Sequence, residues 1–243
     1  MTPLVFLHGW GQSARIWHAQ REAFPDALYL NLPGHGGAAD ADDWLEALAG
    51  QLPGEPAILV GWSLGGMLAM QLALKDPDRV AGLALVSTTP CFRNKDTWTH
   101  GCSDAVFEGF VDGVAKQSAK TLGRFFALML HGDNVDRRGF NELARQSIDR
   151  EQPPSHEGLR RGLELLAGLD LRDALAGIRQ PALVLHGNED AIVPATAGRF
   201  LAGQLPNAEW RSWPAGHAPF LTHGKEFNQQ LEEWCRNISI AAW

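Results

Sequence analysis

At 243 residues, 45% of them apolar, the chain holds enough hydrophobic material for one α/β unit, or for a core with an inserted subdomain, but two independent domains are not expected. A net charge of −7 argues against nucleic acid as a partner, and no window is long and apolar enough to span a membrane. Cys91, Cys102 and Cys235 are widely spaced, odd in number and form no C-x-x-C pair, and Met1-Thr2-Pro3 begins no leader-like segment, so the expectation is a soluble, cytoplasmic protein.

Strand-like runs occur at Leu4 to Leu7, Leu28 to Asn31, Ala57 to Val60, Gly82 to Val86, Ala182 to Leu185 and Glu209 to Trp213, with helical patterns such as Met67 to Leu74 between them. Strands alternating with helices at this spacing predict a parallel sheet covered on both faces. Each run ends in small or polar residues, and ligands of such sheets gather at the carboxyl ends of the strands. The candidate chemistry therefore collects on one edge.

From about Pro90 to Leu175 the alternation stops. Amphipathic helices such as Lys116 to Leu130 and Glu157 to Leu166 take over, broken by Pro153-Pro154, and predict a helical cap over 90–175 inserted into a core of 1–89 and 176–243. Residues 93–172 carry 12 of the 21 cations and 12 of the 28 acids, so the rest of the chain holds 9 against 16, which is the whole of the −7. Within the cap, 113–161 has 9 cations against 6 acids, a balance that ordinary solvated helix faces would also give. The chain should close with a helix over Glu226 to Cys235 and a loosely held tail from Asn237 to Trp243.

The most informative stretch is Gly61-Trp62-Ser63-Leu64-Gly65-Gly66, which follows the apolar run Ala57 to Val60 and opens a helical run. A serine on so sharp a strand-to-helix turn is held in a strained conformation with its hydroxyl over the sheet end, and glycines at 61 and 65 let the two backbones approach. A chance G-x-S-x-G would lack this strand and helix context. A serine hydroxyl needs a base oriented by a third group. His217, in the loop between the last strand and the last helix, is the candidate base, with His223 its rival as a helix-cap residue. Asp190, in Gly187-Asn188-Glu189-Asp190-Ala191-Ile192-Val193-Pro194, is the candidate acid, with Glu189 the alternative.

The order Ser63, Asp190, His217 fits an acyl-transfer site of the nucleophile-elbow kind. Backbone N–H groups of Leu64 and of Trp10, in His8-Gly9-Trp10-Gly11, are the expected donors to a developing oxyanion. Leu32-Pro33-Gly34-His35-Gly36-Gly37 lacks the Lys and Ser/Thr of a phosphate-binding loop and reads as a turn beside the site. His8, His35 and His186 read as loop-structuring residues. No cysteine cluster or H-E-x-x-H suggests a metal, and no cofactor is expected.

With these residues in hand, the whole chain resembles the α/β-hydrolases, and more narrowly the pimeloyl acyl-carrier-protein methyl ester esterases of biotin synthesis. The narrower likeness rests on Leu7-His8-Gly9-Trp10-Gly11, Gly61-Trp62-Ser63-Leu64-Gly65-Gly66, Thr89-Pro90-Cys91-Phe92, Gly162-Leu163-Glu164-Leu165-Leu166, Asp170-Leu171-Arg172 and His217-Ala218-Pro219-Phe220. It implies an α/β-hydrolase fold and hydrolysis of a methyl ester on a pimeloyl chain borne by acyl carrier protein. Arg124-Phe125-Phe126-Ala127-Leu128 is similar to a family cap segment, which implies that Phe125 and Met129 line the acyl channel and that Lys120, Arg124 and Arg137 meet the carrier. A fourth basic position of the family falls on Asn141, and its first two edge strands have no counterpart before Leu4, so a six-stranded parallel sheet is expected. Two other readings are a broad esterase or lactonase for small acyl groups, and a binding protein on a hydrolase scaffold.

Overall fold

The six apolar runs form six strands, β1 (Leu4–Leu7), β2 (Leu28–Leu30), β3 (Ala57–Trp62), β4 (Val80–Val86), β5 (Ala182–Gly187) and β6 (Ala208–Trp213), in a computed structural model that describes residues 2–241. All pairings are parallel, in the order β2-β1-β3-β4-β5-β6. β3 and β5 are buried at every position, as strands covered on both faces must be, whereas edge strand β6 alternates half-buried and exposed residues before ending on buried Trp213.

The sequence ended β3 and β5 at the first glycine or histidine, but Gly61, Trp62, His186 and Gly187 still pair with β4 and β6. β2 stops one residue earlier than its apolar pattern. Asn31 turns its side chain to the loops, accepting from the Ala14 N–H at 2.7 Å and donating to the Gly36 carbonyl at 2.9 Å.

The helices are α1 (His18–Ala23), α2 (Trp44–Ala49), α3 (Leu64–Lys75), α4 (Asp104–Met129), α5 (Arg137–Ser147), α6 (His156–Gly168), α7 (Ala195–Gln204), α8 (Pro219–Thr222) and α9 (Gly224–Ala241). From β1 the chain steps outward to β2, then crosses back to β3 and continues one way to β6. Right-handed crossovers put the helices of these two directions on opposite faces: α1 packs with α8 and α9, and α2 with α3. The reversal opens a crevice at the carboxyl ends of β1 and β3. His8 to Gly11 and Ser63 leave the sheet there.

Between β4 and β5 lie α4, α5 and α6, the interval in which the cap was expected. α4 starts at Asp104, earlier than the pattern from Lys116 suggested, and its helical dihedrals break at Gln117 (φ −154°, ψ 64°). The second half matches the expected helix. The first half carries Val106 and Val111, two of the three large apolar residues exposed among those described.

At the chain's end, α9 runs through Asn237 to Ala241, where a loose tail was expected. Trp234 and Ile238, one helical turn apart, both close on Gly82 of β4, and that contact extends the helix. The last residues of that expected tail, Ala242 and Trp243, lie outside the described residues.

Candidate active site

Ser63 is the single residue between the end of β3 and the start of α3, with φ 55° and ψ −119°. Only Ser63 and Ser87 are non-glycine residues with positive φ among those described, a conformation that costs about 1–3 kcal/mol. Surrounding bonds hold it: the Ser63 N–H donates to the Val86 carbonyl at 2.9 Å, and the Thr88 hydroxyl donates to the Ser63 carbonyl at 2.7 Å. A Cβ on Gly61 would lie 2.5 Å from the Gly65 carbonyl oxygen, and one on Gly65 would lie 2.4 Å from that of Leu7. Only glycine lets β3, α3 and β1 meet this closely.

The loop after β5 folds the Asp190 carboxylate back on its own backbone. One oxygen accepts the N–H groups of Ile192 and Val193, both at 2.9 Å. The other accepts from Nδ1 of His217 at 2.7 Å, with Nε2 of His186 at 3.4 Å. Burial alone would raise the Asp190 carboxyl, but the neighbouring His217 and the bonds from both imidazoles hold it well below the usual carboxylate range. The alternative acid, Glu189, is exposed.

With Nδ1–H donated to Asp190, the neutral imidazole of His217 keeps a lone pair on Nε2. That nitrogen is buried and has no hydrogen-bond partner among the described residues. The histidine is fixed from three directions. Trp62 donates its indole N–H to the His217 carbonyl at 2.9 Å, the His217 N–H donates to the Met129 carbonyl at 2.8 Å, and the adjacent Gly216 N–H donates to Asp133 at 3.0 Å. Trp62 immediately precedes Ser63, and its ring centroid lies 5.3 Å from that of His217. Among the described residues the Ser63 hydroxyl makes no hydrogen bond of its own, so the His217–Asp190 pair is formed and the serine–histidine bond is not. Hydrogen bonds of this kind often tighten only with substrate bound.

Leu64 opens α3, so its backbone N–H has no preceding turn to bond to. The Trp10 N–H is likewise unbonded among the described residues. His8 and His35 brace the Trp10 loop. His8 donates from Nδ1 to the Gly9 carbonyl at 2.8 Å and accepts the Leu32 N–H at Nε2, at 3.0 Å. His35 donates from Nδ1 to the Pro33 carbonyl and accepts the Gly11 N–H at 3.3 Å. Burial pushes His8 to about 3, with the nearby His35 adding to it, and pushes His35 to about 4. Both are neutral at physiological pH. The Trp10 indole donates to the Leu159 carbonyl at 2.9 Å, tying this loop to α6.

Over Ser63 the aromatic side chains close up. Trp10, Phe92, Phe107, Phe110 and Phe125 border a cavity with ≈ 10 Å³ of free volume, room for about one water molecule. Phe125 is thus one of the side chains next to Ser63. Met129 is not among the lining residues: its side chain is fully buried, and its carbonyl supports His217 instead. Lys120 and Arg124 are exposed one turn apart on α4, and Arg137 is exposed at the start of α5. With Arg138, Asn141, Glu142 and Arg145, Arg137 rims an open hollow of ≈ 580 Å³. No ion pair engages Lys120, Arg124 or Arg137 among the described residues.

Two contributors escaped sequence reading. His186 was read as structuring its loop, yet its Nε2 lies 2.9 Å from the Val193 carbonyl as well as beside Asp190, so it grips the acid's own turn. The four-residue spacing from His186 to Asp190 at a strand end was the available signal. Asp133 holds Gly216 and the Thr222 hydroxyl (2.7 Å) from the turn that follows α4, and nothing in the local sequence marks it.

The model of the alpha/beta hydrolase fold family matches residues 2–224. A pimeloyl-[acyl-carrier protein] methyl ester esterase of Nitrosomonas europaea is 39% identical over 233 residues, 92% of each chain. A relative of the same name in Aromatoleum aromaticum is 39% identical over 96% of this chain and 98% of its own. Among solved structures, an esterase from Exiguobacterium antarcticum superposes with a TM-score of 0.86 at 19% identity, covering 97% of this chain and 92% of that one, which speaks to fold. No helix of the described residues is long and apolar enough to cross a membrane. The chain belongs to the alpha/beta hydrolase fold family and, within it, to the pimeloyl-[acyl-carrier protein] methyl ester esterases.

Proposed function

We propose that this protein is a serine carboxylic ester hydrolase that cleaves the methyl ester of pimeloyl acyl carrier protein, releasing methanol and the carrier-bound acid for biotin synthesis. The observation that carries the chemistry is the 2.7 Å bond from His217 to a buried Asp190, which leaves a lone pair on an otherwise unpartnered Nε2 beside the strained serine turn. The relatives' shared name carries the substrate.

Ser63 Oγ attacks the ester carbonyl carbon while Nε2 of His217 accepts its proton. Negative charge moves to the former carbonyl oxygen, where the N–H groups of Trp10 and Leu64 receive it; one such donor is worth about 3–4 kcal/mol. The intermediate collapses as Nε2 returns the proton to the departing methoxy oxygen, giving methanol and an acyl-serine. Water then repeats the attack, loses its proton to Nε2 and frees the acid, after which the proton returns to Ser63. Asp190 stays ionised throughout and favours the imidazolium formed in each half. The helices over 90–175 act as a cap that keeps bulk water from this exchange, with Phe125 against the acyl group. Lys120, Arg124 and Arg137 meet the acidic carrier through charge, which sets encounter rate and salt sensitivity.

The test is turnover of carrier-bound and free methyl pimelate at increasing salt. Ser63→Ala should lose at least about 10³-fold in kcat on both. Carrier-bound substrate should lose kcat/KM as salt rises while the free ester does not. Equal, salt-independent rates on both would leave a general esterase and sink the carrier assignment.

A further inference from the structure

The cavity above Ser63 is too small for any ester, since ≈ 10 Å³ admits no acyl carbon chain. Beyond part of its wall there is space. Between α4 and α6 runs a mainly apolar groove with ≈ 310 Å³ of free volume, bordered by Val111, Val114, Ala115 and Ala167 and, on α6, by His156, Arg160 and Glu164. Two side chains, Phe107 and Leu163, line both the groove and the Ser63 cavity. They form a partition one side chain thick. Phe107 comes from the first half of α4, ahead of the break at Gln117, and Leu163 comes from α6.

The other walls have firmer backing. Trp10 is bonded to the Leu159 carbonyl, and Ile192 follows the turn that Asp190 holds through backbone N–H groups. The Phe107 side chain is buried but has packing contacts alone, among them an edge-on approach to Phe92 at 6.3 Å and the guanidinium of Arg93 at 4.7 Å from its ring centre. The exposed valines 106 and 111 fall on this same half-helix, where an apolar surface facing water is otherwise unexplained.

We infer that the groove between α4 and α6 is the subsite for the polymethylene part of the substrate's acyl chain, and that Phe107 and Leu163 are the specificity-determining residues that separate it from Ser63. A substrate reaches the serine by displacing the Phe107 ring, and its methylenes then lie along Val111 and Val114. Short acyl groups gain nothing from the groove; longer ones bury their chain in it. This inference rests on the Ser63 ester-hydrolase reading.

The experiment compares kcat/KM for p-nitrophenyl octanoate and butyrate in wild-type protein and two variants. Phe107→Ala removes the partition and should raise the octanoate-to-butyrate ratio about tenfold. Val111→Trp fills the groove from its exposed side and should lower that ratio about tenfold, and it remains decisive if Phe107→Ala fails to fold by circular dichroism. Each sample is also labelled with a fluorophosphonate. Failure of wild-type Ser63 to label would break the catalytic reading itself, whereas normal labelling with an unchanged ratio in Val111→Trp would overturn the groove assignment alone.

Discussion

The carboxyl edge of the sheet and the helices that cover it hold their functional residues by different means. At the sheet edge each candidate reacting group is fixed through backbone: Asp190 accepts two main-chain N–H groups, His217 is held at its own N–H and carbonyl, and Ser63 is the only connection between β3 and α3. In the inserted helices the proposed carrier-binding cations stand on exposed faces. Lys120, Arg124 and Arg137 have no ion pair among the described residues, and Arg160 and Arg145 pair only with acids of their own helices. Backbone constraints leave the reaction little freedom, while exposed side chains can change with the substrate at small cost to the fold.

Asp190→Asn tests this division most severely. The amide cannot accept from His217 and both backbone N–H groups while stabilising a positive ring, so kcat should fall about 10⁴-fold near neutral pH. Lys116→Ala on α4, where the ammonium meets only Asp112 at the surface, should stay within about twofold of wild type. Comparable losses in both, measured on a p-nitrophenyl ester, would erase the distinction.

Acid should also discriminate between the regions. His8 and His35 are buried neutral, their pKa lowered by burial to about 3 and about 4 from the 6.5 of a free imidazole. Between these values the unfolded chain binds protons that the folded chain refuses, so stability is complete above pH 6.5 and is lost as pH falls toward 4. Each histidine contributes up to about 1.4 kcal/mol per pH unit in that window. Asp190, held low, adds its loss only below the ordinary carboxylate range. Thermal unfolding followed from pH 7 to 4.5 should show a steep loss of Tm that His35→Gln makes shallower. An unchanged slope in that variant would mean the protons are taken up elsewhere.

What the sequence disclosed follows the same boundary. Ser63, Asp190 and His217 were legible because a strand-to-helix turn and two loops at strand ends demand particular residues at particular positions. The six strands were legible from their apolar runs, with errors at their ends, where Gly61 and His186 look like turn residues but still belong to the ladder. Met129, which the family resemblance set along the acyl channel, is fully buried and does not line the small cavity over Ser63, and its backbone role beneath His217 has no mark in the local sequence. Asp133 was invisible because its partners, Gly216 and Thr222, are more than eighty residues away in the chain. The break at Gln117 lies in a sequence with no proline or glycine at that position, and no local pattern marks it.

The smallest expected effect uses one substitution in both regions. Alanine exceeds glycine in helix propensity by about 0.8–1 kcal/mol, so Gly→Ala inside a helix should stabilise wherever the methyl group has room. Gly123, exposed in α4, has nothing within 4 Å of its added Cβ, and Gly123→Ala should raise the urea midpoint by about that energy with the slope unchanged. Gly65, in the first turn of α3, would place the same methyl 2.4 Å from the Leu7 carbonyl oxygen and 2.6 Å from that of His8. Neither oxygen can swing away, because both belong to the strand end and loop that set the Trp10 donor. Gly65→Ala should therefore lose about 1–3 kcal/mol, reversing the sign that propensity alone dictates. Because the strain falls on the Trp10 loop, kcat should drop with it. A stabilised Gly65→Ala with full activity would mean that α3 and β1 have slack between them, and that close backbone packing is not what holds Ser63 in place.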